Sequence, residues 1–189
     1  MNDGHGLTAP GWPGSPPRWS SSAKSGVGTA PGAAGRLWFT LSHGILNEVY
    51  YPRLDQACLR DLGLIVTAEP GYFSEEKRHA QSTLSTVAEG VPSFKLSNRS
   101  LDGRYLIEKE VLADPRREVL LQRIRFTALQ GVLDDYHLYA LLAPHLGNAG
   151  AANNAWCAED KGRPMLFAQR DGVALALASS QGWLRRSAG

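Results

Sequence analysis

The chain has 189 residues and a net charge of +2, enough to bury roughly two-thirds of its unfolded surface as one domain, or one domain and part of another. Hydrophobic residues make up 43% and charged residues 20%, the balance of an ordinary globular protein. Basic side chains are interleaved with acidic ones, as in EEKR (Glu75 to Arg78) and IEKE (Ile107 to Glu110), which describes solvated strand faces and excludes a phosphate-tracking, nucleic-acid-binding surface.

The opening residues, MNDGHGLTAPGWPGSPP, contain neither a basic n-region nor an apolar h-region. The apolar runs, such as VALALA from Val173, are far shorter than the ~20 residues of a membrane helix. A soluble cytoplasmic protein with no membrane partner is therefore expected. Residues 1–34 are rich in Gly, Pro, Ser and Ala, with Trp12 and Trp19 as apolar exceptions, and read as an extended arm. SAKSGVGTA places a lysine near glycines but not in the order of a phosphate loop.

From Leu37 onward the hydrophobic period is two. LWFTLSHGILNEVYYPRLDQACLRDLGLIVT (Leu37 to Thr67) sets two apolar strand-like runs around a polar, turn-rich centre. Pro52 ends the strand or confines it to an edge, and a short helix over 54–62 is the one helical element the pattern allows. The stretch 80–89 alternates less regularly. In the run from Tyr105 to Leu112, one face carries Tyr105, Ile107, Lys109 and Val111, the other Leu106, Glu108, Glu110 and Leu112. Segments 119–128 and 132–142 alternate similarly, and Leu175 and Leu177 belong to a short apolar strand. Asp102-Gly103 and Asp171-Gly172 predict type I′ hairpin turns, and Gln130-Gly131 is a weaker stop of the same kind. Turns about a dozen residues apart predict an all-β antiparallel sandwich, with Trp38, Trp156 and Trp183 in its core.

Candidate chemistry concentrates in the polar centre. Glu48, Asp55 and Asp61 are its carboxylates, but Asp55 and Asp61 adjoin Arg53 and Arg60, where ion pairs and turn hydrogen bonds explain them. Glu48 is balanced between a hydrogen-bonded strand residue and a sugar contact. Tyr50 and Tyr51 offer ring area and hydroxyls suited to sugar. Neighbouring strand residues face opposite sides, so at most one of the two serves. His43 reads as a turn residue, and His137 and His145 lack a third ligand at metal spacing. Asn148, Asn153 and Asn154 belong to a loosened loop. Cys58 and Cys157 form no CxxC motif and are expected as separate reduced thiols. No metal or cofactor is expected, and no GxSxG serine motif is present.

WSSSAKSGVGTA (Trp19 to Ala30), the 37–67 segment and GYFSEEKRHA (Gly71 to Ala80) together resemble the amino-terminal β-domain of bacterial-type glucoamylases and glucodextranases, family-15 glycoside hydrolases. The resemblance runs from Ala9 to Gly189. It implies a large β-sandwich at 35–189 that is incomplete at its carboxyl end, because GWLRRSAG resembles the interior of that domain. It also implies that the catalytic (α/α)6 barrel, which carries the acid and base glutamates, is absent here, so no catalytic residue is assigned. The parent enzyme would remove glucose from the ends of α-glucans or maltooligosaccharides with inversion. This piece would brace the barrel and border its sugar-binding end through Glu48, Tyr50, Tyr51, Arg53 and Asp55. The competing expectation is a stand-alone carbohydrate-binding sandwich using Tyr50, Tyr51 and Trp12.

Overall fold

Residues 18–32 and 35–189 are described by the computed structural model. They form thirteen β-strands, one α-helical turn and two short 3-10 turns in two compact units, 20–143 and 144–189, the second including Trp19. Trp12 lies outside the described residues.

In the larger unit, β1 (Gly26–Thr29), β2 (Trp38–Ser42), β3 (Ile45–Tyr50), β4 (Ala57–Ala68) and β10 (Tyr136–Pro144) are neighbours in that order. β5 (Tyr72–Glu75) pairs antiparallel with the far end of β4. The second sheet is an antiparallel meander of β6 (Ala80–Thr86), β7 (Phe94–Ser100), β8 (Tyr105–Ala113) and β9 (Leu120–Ala128). Both sheets bury alternate residues, because a strand sends successive side chains to opposite faces. On β8 the buried set is Tyr105, Ile107, Lys109, Val111 and Ala113.

The faces meet where Leu64 and Val66 of β4 pack on Tyr105 and Ile107 of β8. Phe39 stands edge-on to Phe94, with ring centroids 6.1 Å apart. The Tyr105 ring stacks on Phe126 at 5.5 Å, and its hydroxyl meets the Ser74 hydroxyl at 2.7 Å. Burial pushes that phenol up to about 12. This is an antiparallel sandwich, as the alternation predicts.

The smaller unit is a three-stranded antiparallel sheet of β11 (Asn154–Asp160), β12 (Arg163–Arg170) and β13 (Val173–Leu177). Arg186 ties the closing segment to it, donating to the carbonyls of Ala158 and Met165.

Three expectations need correction. The 54–62 helix does not form: 51–56 is a turn and Ala57 starts the twelve-residue β4. Leu54, Cys58 and Leu62 mimic a helical spacing, but from Leu62 the burial alternates strictly and strand pairing on both sides wins. The helical turn lies instead at α1 (Glu76–His79). Asp102-Gly103 is not a two-residue turn: only Gly103 has positive φ, and Asp102 Oδ1 accepts the Arg104 amide across a longer loop. Two-residue loops with both φ positive do join β12 to β13 at Asp171-Gly172, and also occur at Lys161-Gly162 and His43-Gly44. The tryptophans do not fill the core. Trp38 and Trp183 are half-buried, and Trp156 is 38% exposed while stacking on Phe167.

Between the sheets lies a buried polar cluster. Glu76 of α1 faces Lys109 of β8 at 2.5 Å, and both side chains are fully buried. Glu76 also accepts hydrogen bonds from the Leu64 amide (3.0 Å) and from Asn98 Nδ2 of β7 (2.5 Å). Asn98 and Lys109 both donate to the Gly44 carbonyl, at 2.8 and 3.4 Å. Burial holds the Lys109 amine below the ordinary lysine range, and the Glu76 charge works against that shift. At Gly44 a Cβ would collide with Ser82 and Asn98, and φ is +74°, so glycine is required on two grounds.

Removing one partner of a buried ion pair strands the other charge. Lys109→Met should therefore destabilise the protein by about 3–5 kcal/mol in urea unfolding. The double variant Glu76→Gln/Lys109→Met should lose much less than the sum of the single losses. Additive losses would show that the two groups do not act as a pair.

Candidate functional site

The β2–β3 hairpin and the turn after it hold all the sequence-selected site residues, yet the structure sorts them into three groups. The first surrounds Glu48. Its backbone amide donates to Thr40 Oγ1 at 3.1 Å, and its side chain is almost wholly buried. The carboxylate accepts from the Ser20 hydroxyl and the Tyr50 hydroxyl, and pairs with Lys24 at 2.9 Å. Tyr50 can reach it because residues two apart on a strand share a face. Burial alone would raise the Glu48 carboxyl, but the bonds from Ser20, Tyr50 and Lys24, with the Lys24 charge, outweigh it and hold the group below its ordinary value. Burial and then the Glu48 charge push Tyr50 up to about 12, so its proton stays in place at neutral pH.

The second group is built on Tyr51. Its hydroxyl accepts from Arg36 Nη2 at 3.0 Å, and the same guanidinium lies 5.2 Å from the ring centroid. Arg36 also reaches Glu118, in the loop after β8, at 3.2 Å. The Tyr51 backbone amide donates to the Gln56 carbonyl, and the Cys58 thiol donates to the Tyr51 carbonyl at 3.2 Å, which closes the turn. Burial pushes the Cys58 thiol up, the direction of an unreactive cysteine. Cys58 and Cys157 are not joined in a disulfide.

The third group is Arg53 and Asp55, a two-bond pair at 2.9 and 2.8 Å on the exposed turn. Tyr51, Arg53 and Asp55 thus share one loop. Glu48 and Tyr50 face a different set, the segment 20–24. Asp61 is held by Arg60 and Lys77, each at 3.2 Å.

The histidines and asparagines take structural positions. His43 has φ of +50° in the β2–β3 turn, with Nδ1 2.6 Å from Ser42 Oγ. His145 is buried and its ring lies 5.1 Å from that of Trp19. Asn153 staples its loop by accepting the Leu146 amide at 3.1 Å and donating to the Ala149 carbonyl at 2.8 Å. Among the described residues, no three His, Cys, Asp or Glu side chains gather as a metal site, and no helix is long and apolar enough to cross a membrane.

Sequence reasoning missed Ser20, Lys24 and Arg36, because a contact between an arm and a strand has no local spacing. It also missed the Glu76–Lys109 pair, although Lys109 stood among apolar residues on one face of its alternating run. A charge in an inward register was the available signal.

Comparison with known proteins places these features in a family. The glucodextranase domain N family matches residues 9–189. A glucoamylase of Clostridium sp. (strain G0005) is 37% identical over 183 residues, covering 97% of this chain and 26% of the relative. A crystal structure of a bacterial glucoamylase complexed with acarbose superposes with a TM-score of 0.91 at 36% identity, over 94% of this chain and 26% of that one. The chain therefore spans about a quarter of the length of the relatives it matches.

The Glu48 cluster has a pH signature. The folded carboxyl titrates below the ordinary glutamate range, so its stabilisation is fully present above that range and fades as pH falls through the folded value. Glu48→Gln should lower Tm at pH 7, with the gap from the parent protein narrowing below pH 4. A gap that stayed constant across a calorimetric pH series would show that the ionised carboxylate is not what holds the cluster.

Proposed function

Since the chain belongs to the family of glucodextranase N domains, we propose that it is the amino-terminal β-domain of an enzyme that hydrolyses terminal α-glucosidic bonds with inversion and releases glucose. In this reading the β-domain is 35–189, its sandwich lying in the 20–143 unit, the arm within 1–34 contributes β1 (26–29) to that sheet, and the partner is a catalytic (α/α)6 barrel that binds the α-glucan or maltooligosaccharide. The observation that carries the proposal is the 37% identity and 97% coverage against a glucoamylase of which this chain spans only a quarter.

The geometry supports a bracing role. Inversion needs an acid and a base carboxyl facing each other across roughly 6.5–9.5 Å, with room for water and sugar between them. Here Glu48, Asp61 and Glu76 are each held by lysine or arginine partners, so these carboxylates are committed to structure. Tyr51, Arg53 and Asp55 offer a polar, turn-borne surface of the kind domains present to one another. We assign that loop to the interdomain border, with Glu48 and Tyr50 holding the strand that presents it.

A stand-alone sugar-binding module is the second reading, and the half-buried Tyr51 ring under Arg36 favours it least, since the guanidinium occupies the face a sugar would use. Purified chain incubated with maltotetraose should release glucose no faster than buffer. Clear turnover by pure protein would overturn the bracing role. The coding frame beyond the Gly189 codon should continue into helical repeats that carry the barrel's glutamates.

A further inference from the structure

A separate cavity lies beside α1, away from the Tyr51 turn. It measures about 250 Å³ and is lined by Tyr72, Phe73 and Ser74 of β5, His79 of α1, and Leu101 and Asp102 of the β7–β8 loop. That is just under the ~300 Å³ at which small-molecule sites begin, the size for one ring of a ligand and not for a peptide or a lipid chain.

Its walls divide into apolar and polar sides. Phe73 and Leu101 are 58% and 70% exposed, an unusual outlay of apolar area on a hairpin and an edge strand. The polar side is oriented. His79 Nδ1 accepts the Glu75 amide at 2.9 Å, which puts the proton of the neutral ring on Nε2 as a donor. Asp102 accepts the Arg104 amide through Oδ1, and although burial opposes it, bonds from Ser100, the Arg104 amide and Tyr72, with the Arg104 charge, hold its carboxyl ionised, so it would share a sugar hydroxyl's proton alongside these donors. Arg104 stands 3.7 Å from Asp102 Oδ2 and 4.4 Å over the Tyr72 ring, so the pair is neutral overall and repels neither anion nor cation strongly. The Tyr72 hydroxyl is shielded from solvent beside Ser74 and Asp102. The loop is pinned by the Leu101 amide donating to the His79 carbonyl at 2.9 Å, so both polar groups sit on fixed backbone.

A neutral ligand with an apolar face and a rim of hydroxyls matches these walls. We propose that this cavity is a second saccharide site that takes one glucosyl ring of an α-glucan, with Phe73 and Leu101 against the C–H face and Asp102 and His79 on the hydroxyls. It rests on the function proposed above only for the choice of glucose as the sugar. The site would hold substrate on the bracing domain, apart from the barrel.

The test titrates the intact ¹⁵N-labelled chain with maltotriose. Saturable amide shifts at Phe73, His79, Leu101 and Gly103 are expected in the millimolar range, with the 51–56 turn unmoved. Phe73→Ala should weaken binding about tenfold, the loss of one ring contact, while Leu184→Ala, at a fully exposed position outside the cavity, leaves it unchanged. If Phe73→Ala fails to fold, Leu101→Ser at an equally exposed position carries the same expectation. Absence of saturable shifts, shifts confined to other residues, or unaltered affinity in the variant would each overturn the site. None of these outcomes bears on glucose release by the chain, so the bracing role stands or falls separately.

Discussion

The buried pairing of Glu76 with Lys109 is the constraint on which the larger unit turns. Two charges removed from water cost several kcal/mol each unless both are met by close, well-aligned partners. The fold meets them by bringing four elements to one point: α1 supplies Glu76, β8 Lys109, β7 Asn98, and the β2–β3 turn the Gly44 carbonyl. Each contact crosses between sheets or between a sheet and a turn. The apolar contacts around Leu64, Val66, Tyr105 and Ile107 drive the sheets together, but hydrophobic burial is non-directional and tolerates sliding. A buried ion pair with fixed donors does not tolerate sliding, so it sets how β8 lies over β4.

A comparable arrangement at smaller scale secures the amino-terminal segment. Ser20 and Lys24 precede the first strand and have no apolar side chain with which to anchor themselves. They are bound through the Glu48 carboxylate, which also orders Tyr50. The result is a stretch of β3 whose polar groups face the arm, followed directly by a turn whose polar groups face solvent. Arg36 then connects that turn to the β8–β9 loop through Tyr51 and Glu118. Both polar assemblies keep the Tyr51–Gln56 turn in a defined position.

The two ends of the sandwich differ in chemistry. Around Tyr51 the rings are covered by guanidinium and the carboxylates are paired, so the surface suits contact with another folded domain. Beside α1, Phe73 and Leu101 stand uncovered next to a carboxylate and an imidazole, a combination suited to a small polyol. The two loops can differ in this way because strands long enough to span the sandwich carry unrelated loops at either end.

The strands were legible in the sequence wherever one face is buried and the other wet, since period-two alternation is a direct consequence of the pleat. Tyr105 to Val111 is the clearest case, and Asp171-Gly172 shows that a turn can be read from two residues when both must take positive φ. Asp102-Gly103 carried the same letters but a different loop, because Ser100 and Arg104 bonds reshape it. The 54–62 stretch failed for a related reason: its apolar spacing is compatible with a helix, and pairing with β3 at Ala57, Leu59 and Leu62 makes it a strand. The family resemblance was readable from Trp19–Ala30, the 37–67 segment and Gly71–Ala80. What tertiary structure alone decided is which polar residues meet. Glu48 with Ser20 and Lys24, Arg36 with Tyr51 and Glu118, and Glu76 with Lys109 are separated by 15 to 82 positions along the chain. Local sequence dictates periodicity and turns, whereas a hydrogen bond across that separation exists only after the sheets have packed and excluded water.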